Sequence, residues 1–169
     1  MRVRSCVELI AVAVCAFPSA SAATTSATSY FKDKACKSTP DTIKFVSAES
    51  CTQIDECVVV DDDAENKMYT KIACTTESYA EYAQSVYESS PYLVIETYDT
   101  TGEVSCDGEI TEGVAYLADG SCITGSDGSK SFEMSIDADG AVDQSAYNGA
   151  TCSDIANTNH FPANIINSN

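Results

Sequence analysis

A chain of 169 residues with 26 acidic side chains, nine basic ones and a single histidine carries a net charge of −17 and is long enough for one domain with a real core. Such a chain lacks the basic footprint that nucleic acid or an anionic membrane surface requires, so both are excluded as partners. Its nine cysteines point to an oxidising compartment and a disulfide framework.

The first residues read as a signal peptide. Met1-Arg-Val-Arg4 is basic, residues 6–17 are mostly apolar apart from Glu8, and Ala20-Ser-Ala22 fits the small-x-small cleavage rule. The expected leader is 1–22, with the cut after Ala22. An apolar run of about a dozen residues is short for a membrane anchor, and no later segment approaches spanning length, so no membrane span is expected. Processing would leave 147 residues with seven lysines, no arginine, 25 acids and a net charge of −18.

The mature chain opens with Ser, Thr and Ala over 23–29, read as a flexible arm. The cysteine-rich domain is placed at 30–156. A strand is expected over 42–46, a polar loop over 49–56, then a hairpin from the β-branched Val58-Val-Val60 through the acidic turn 61–66 to 67–74. Residues 77–88 carry the one convincing helix, because Tyr79, Tyr82, Ala83, Val86 and Tyr87 follow a single helical stripe. Ser78 and Glu81 have capping-box spacing, with Thr75 or Thr76 as the alternative cap, and Ser89-Ser-Pro91 ends the helix. Tyr92 to Tyr98 is the most apolar run after the leader and reads as a core strand.

Turn-rich β sequence follows. A strand over 112–118 is expected to fold back through Asp119-Gly120 onto 121–124 as a two-residue hairpin. Phe132, Met134 and Ile136 alternate with polar residues, the cleanest period-two pattern in the chain. Asp137-Ala-Asp-Gly140 turns that strand back into 141–147. Residues 157–169 are Asn-rich and read as a polar tail. The fold class is therefore α+β, mainly antiparallel β with one amphipathic helix, a disulfide-stabilised single domain.

Cys36, Cys51, Cys57, Cys74, Cys106, Cys122 and Cys152 remain after the leader, an odd number allowing about 105 arrangements of three bridges and one leftover thiol. Two bridges are expected: Cys51 to Cys57, stapling the polar loop, and Cys106 to Cys122, flanking the strand at 112–118. The partners of Cys36, Cys74 and Cys152 stay open. There is no C-x-x-C, so no metal site is assigned and no cofactor is expected.

Catalytic patterns are sparse. His160, the only imidazole, lies in the polar tail and reads as a surface residue rather than a base. Asp99-Thr-Thr-Gly102 has one residue too many for an aspartic-protease motif. Asp61-Asp-Asp63 and the segment from Asp137 to Asp143 are acidic enough for calcium, but the latter places Gly140 at the fourth position where an EF-hand needs the sixth, and both read as solvated turns. No catalytic residue is assigned.

Phe31-x4-Cys36-x3-Pro40, Tyr69-x4-Cys74-Thr-Thr76, Ser90-Pro-Tyr-Leu-Val-Ile-Glu96, Ala115-Tyr-Leu-Ala-Asp-Gly-Ser-Cys122 and Tyr147-x4-Cys152 together resemble a family of secreted cysteine-rich domains of oomycetes. Similar domains form the ectodomain of tyrosine-kinase-like receptor kinases in those organisms. The resemblance implies an extracellular domain without an assigned activity, and this chain carries no kinase motif. The expected function is a secreted, non-enzymatic binding module or host-directed effector, its partner an unknown extracellular protein or glycan. The alternatives are a structural cell-surface or wall protein, and a carboxylate-dependent hydrolase.

Overall fold

The computed structural model describes residues 2–4, 24–61, 67–98, 109–125 and 129–163. Cys106, the Asp99–Gly102 motif, Asp62 and Asp63, most of the leader and the last six residues lie outside them.

Among the described residues eleven strands and one helix build an α+β domain of three layers. The strands are β1 (Arg2–Arg4), β2 (Thr24–Phe31), β3 (Thr42–Ala48), β4 (Ile54–Asp61), β5 (Met68–Thr75), β6 (Tyr92–Tyr98), β7 (Ile110–Leu117), β8 (Asp119–Thr124), β9 (Lys130–Ile136), β10 (Val142–Asn148) and β11 (Asp154–Phe161). A seven-stranded sheet has the order β1-β6-β7-β3-β2-β5-β4, and a four-stranded sheet the order β11-β10-β9-β8. Every pairing is antiparallel except that of β1 with β6. Cleavage after Ala22 would take β1 away and leave β6 as an edge.

The helix α1 (Tyr79–Tyr87) forms where the tyrosine stripe predicts it. Ser78 caps it: its hydroxyl accepts from the Glu81 N–H at 3.3 Å, while the Glu81 carboxylate accepts from the Ser78 N–H at 3.0 Å. Tyr79, Ala83 and Tyr87 are buried against Ala27, Ile43, Phe45, Val94, Ala115 and Leu117 of the large sheet. Tyr79 stacks on Phe45 at 4.6 Å between ring centres, and Tyr87 on Tyr92 at 5.3 Å. The Tyr87 hydroxyl donates to the Ala115 carbonyl at 3.2 Å, which satisfies its one polar atom inside the core. The opposite face of β6 supplies Leu93, and the residue after β7 supplies Ala118, to a second core with Met134 and Val142, bordered by Phe132 and Ile136. The period-two pattern at 132–136 is thus the inner face of the small sheet.

Three expectations are corrected. Residues 24–29 are no frayed arm: they belong to β2, which lies between β3 and β5 with alternate residues buried. Thr25, Ala27 and Ser29 are small because the large tyrosines of α1 already fill the space above them. Residues 157–161 of the expected polar tail belong to β11, which pairs with β10 from Asp154 onward, although its side chains are almost all exposed. Asp119-Gly120 closes no hairpin. β7 ends at Leu117 in one sheet, and β8 begins at Asp119 in the other. Ala118 carries the chain across, anchored by its N–H to the Pro91 carbonyl at 2.8 Å. Gly120 adopts a φ of +80° where the β8–β9 register shifts, a conformation that glycine takes without strain.

Among the described residues the disulfides are Cys36–Cys57, Cys51–Cys74 and Cys122–Cys152. The expected Cys51–Cys57 and Cys106–Cys122 bridges are therefore not formed. Cys51 and Cys57 are close in sequence, but the β4–β5 hairpin brings Cys51 to β5, while Cys57 meets the loop that follows β2. Among the described residues no helix is long and apolar enough to cross a membrane. A domain with three disulfides fits an extracellular protein.

Candidate functional site

Where the small sheet stops covering the large one, a cleft of about 740 Å³ opens between them. Antiparallel register sets up its floor. Tyr30 on β2 pairs with Thr42 on β3, and Thr42 with Tyr116 on β7, so these three side chains form one row on the face away from α1. Ile123 and Phe132 reach in from β8 and β9. The Tyr116 and Phe132 rings meet edge to face at 5.2 Å, which seals the inner end where the cleft joins the second core. Burial pushes the Tyr116 hydroxyl above its ordinary pKa, so it stays a neutral donor.

Charge is distributed unevenly around this cleft. Lys32, Lys34, Lys44 and Lys67 line it, four of the seven lysines in a chain with 26 acids. The lining contains one carboxylate, Asp41. Lys32 and Asp41 form an ion pair at 3.2 Å, and the Lys32 ammonium also donates to the Cys122 carbonyl at 2.5 Å, tying the end of β2 to β8. Burial raises the Asp41 pKa, an effect opposed by Lys32 and reinforced by Asp119. Lys44 sits over the Tyr30 ring at 5.3 Å. Lys34 makes no hydrogen bond or ion pair among the described residues.

The turn that presents Lys32 and Lys34 is built on Asp33. Its carboxylate accepts from the N–H groups of Ala35 (2.9 Å), Lys37 (3.1 Å) and Ser38 (3.0 Å) and from the Ser38 hydroxyl (2.5 Å). Cys36, at a φ of 48°, anchors the same turn to β4 through Cys57. These bonds, that of the Ser38 hydroxyl foremost, hold the Asp33 carboxyl far below the usual carboxylate range. A depressed folded pKa means that the contribution is fully present above the unfolded value near 4 and is lost only as the pH falls well below it. The Asp33 side-chain carbon is therefore expected to show an ionised carboxyl at pH 3 by NMR. A midpoint near 4 would remove Asp33 as the clamp of this turn.

No family model, curated protein or solved structure matches the chain. Its chemistry therefore has to be taken from its own side chains.

The residues singled out in the sequence fall away from the cleft. His160 is on β11, its Nδ1 at 2.7 Å from an Asp143 carboxylate oxygen, and both side chains are exposed. Asp137 spends its carboxylate on the Asp139 and Ala141 N–H groups of the β9–β10 turn, so the acids of that calcium-like segment do not converge. Among the described residues no three of His, Cys, Asp and Glu cluster as a metal site. Of the cysteines in the two expected bridges, Cys122 reaches the cleft through its carbonyl, which accepts from the lining Lys32, while Cys106 lies outside the described residues. The reading of the sequence missed Glu96, fully buried on β6 and hydrogen-bonded by the Tyr98 hydroxyl at 2.7 Å. Glu96 pairs with Gly113 beneath α1, on the other face of the sheet from the cleft. It also missed the lysine cluster, which no short motif could reveal because its members are spread from position 32 to position 67.

Proposed function

We propose that the protein is a secreted, non-enzymatic binding module that works outside the cell and receives its ligand in the cleft between the two sheets. One observation carries this reading: the cleft pairs half-buried aromatic walls with a lysine-rich rim in a chain that is otherwise strongly acidic. Its volume lies in the range of about 300–1,000 Å³ typical of small-molecule sites. Three disulfides and the leader-like N-terminus support an extracellular setting. The motif resemblance to secreted oomycete domains points the same way and leaves a host-directed role open to it.

The single lining carboxylate is already paired with Lys32, whereas glycoside hydrolysis needs two carboxyl groups flanking the scissile bond. That favours binding over the hydrolase alternative. A purely structural wall protein has no use for such a cleft. The test is a thermal-shift screen of the oxidised protein against extracellular metabolites and oligosaccharides, repeated with Thr124→Trp to fill the cleft. A stabilising compound that loses its effect in the variant is the expected result. A compound converted to product under the same conditions would replace the binding module by an enzyme.

A further inference from the structure

The ligand class of this cleft can be narrowed by its charges. Against a net charge of −17, the general field of the molecule repels anions, so a lysine cluster at one opening is a local reversal rather than part of a basic surface. Lys34, Lys44 and Lys67 are exposed at the rim, and Tyr30, Tyr69, Tyr116 and Phe132 are half-buried behind them. Lys44 over the Tyr30 ring joins the two zones, placing an ammonium beside an aromatic wall. Lys32 neutralises Asp41, which removes the one lining charge that would oppose an anion.

Resting on the reading of the cleft as the binding site, we propose that it takes a small organic anion, a carboxylate or sulfonate carried on a flat apolar body. Lys34 and Lys44 hold the charged head at the rim. The body lies against Tyr30, Tyr116 and Phe132. Nucleic acid satisfies the charge but not the overall field, and a neutral sugar brings no charge to meet the Lys34 ammonium.

The experiment is a fluorescence and calorimetric titration of the full oxidised protein with two probes sharing one ring system, anilinonaphthalene sulfonate and neutral N-phenylnaphthylamine. The sulfonate is expected to bind one to one and at least about tenfold more tightly than the neutral amine, the scale of one charge-assisted contact. Lys34→Gln with Lys44→Gln is expected to weaken the sulfonate roughly tenfold, without changing the melting temperature, since both side chains are exposed. Lys130→Gln, at the start of β9 outside the lining, is expected to change nothing. Asp41→Asn is expected to strengthen the sulfonate several-fold by freeing Lys32. Equal binding of the two probes, indifferent to the lysine pair, would overturn the anion assignment and leave an apolar binding cleft standing. Failure of both probes to bind stoichiometrically would overturn the anion assignment and the cleft's role as a binding site together.

Discussion

Replacing Cys122 and Cys152 by alanine is expected to lower the unfolding free energy by about 3–4 kcal/mol, from the loop-closure entropy that a cross-link of this span removes from the unfolded chain. The two cysteines are 30 residues apart in sequence. The bridge joins β8 to the corner between β10 and β11, passing over β9. That corner is otherwise held by the Cys152 N–H to the Ser131 hydroxyl at 2.8 Å and by the Thr124 hydroxyl to the Ala150 carbonyl at 3.0 Å. Its loss also loosens the strand whose Cys122 carbonyl receives Lys32. Urea unfolding under oxidising conditions measures the first effect, and titration with an anionic probe measures the second. A loss below about 1 kcal/mol would mean that the small sheet is fixed by its apolar contacts alone. Removing the Cys36–Cys57 bridge, which spans 21 residues, should cost about 3 kcal/mol by the same argument and also frees the turn bearing Lys32 and Lys34, so ligand binding suffers directly as well.

Gly113→Ala is expected to cost about 2–3 kcal/mol, the range for forcing one extra carbon into a filled core. The Cδ2–Cε2 edge of the Tyr79 ring lies against this glycine, and a Cβ there would overlap ring atom Cδ2 and come within 2.6 Å of Cε2. The ring cannot shift freely, because it is stacked on Phe45. Nor can its Cα move freely, because Tyr79 is the first residue of α1, directly after the Ser78 cap. Tyr79→Ala alone removes a large buried side chain at about 3 kcal/mol or more. The double variant should therefore lose less than the sum of the two singles, since the alanine Cβ then occupies part of the space the ring vacates. Chemical denaturation of the four proteins completes the cycle. A Gly113→Ala protein within about 0.5 kcal/mol of the parent would show that the helix slides to accommodate it.

Periodicity made the helix and the inner face of β9 legible, because Tyr79, Tyr82, Ala83, Val86 and Tyr87 repeat at helical spacing while Phe132, Met134 and Ile136 repeat at two. The Ser78–Glu81 box was legible for the same reason: a helix start is a local event. β2 was not. Thr25, Ala27 and Ser29 give no apolar signal, and they are buried only because tyrosines from a helix fifty residues later come to lie above them. The disulfides were hidden by the same dependence on tertiary placement. Cys51 is six residues from Cys57 yet pairs with Cys74, because strand pairing decides which side chains meet. The cleft is the extreme case. Lys44 and Tyr30 are brought together by the β2–β3 register, Lys67 by the return of β5, and Phe132 by a second sheet, so no local stretch encodes it.

The far edge of the large sheet has a different consequence. On β4, Val58, Val59 and Val60 are 44, 43 and 58 % exposed, and no described strand pairs with the outer side. An apolar strand at an open edge invites addition of another chain. Here the register is interrupted twice against β5, and the same strand carries the exposed acids Asp55 and Glu56. With 26 acids against nine basic residues, two copies approaching edge to edge also repel over their whole surfaces. The surplus of carboxylates thus works as a colloidal safeguard as well as a background for the lysine rim. Acid or high salt, which suppresses that repulsion while leaving the valines in place, sets the conditions under which the protein would begin to self-associate through its edge.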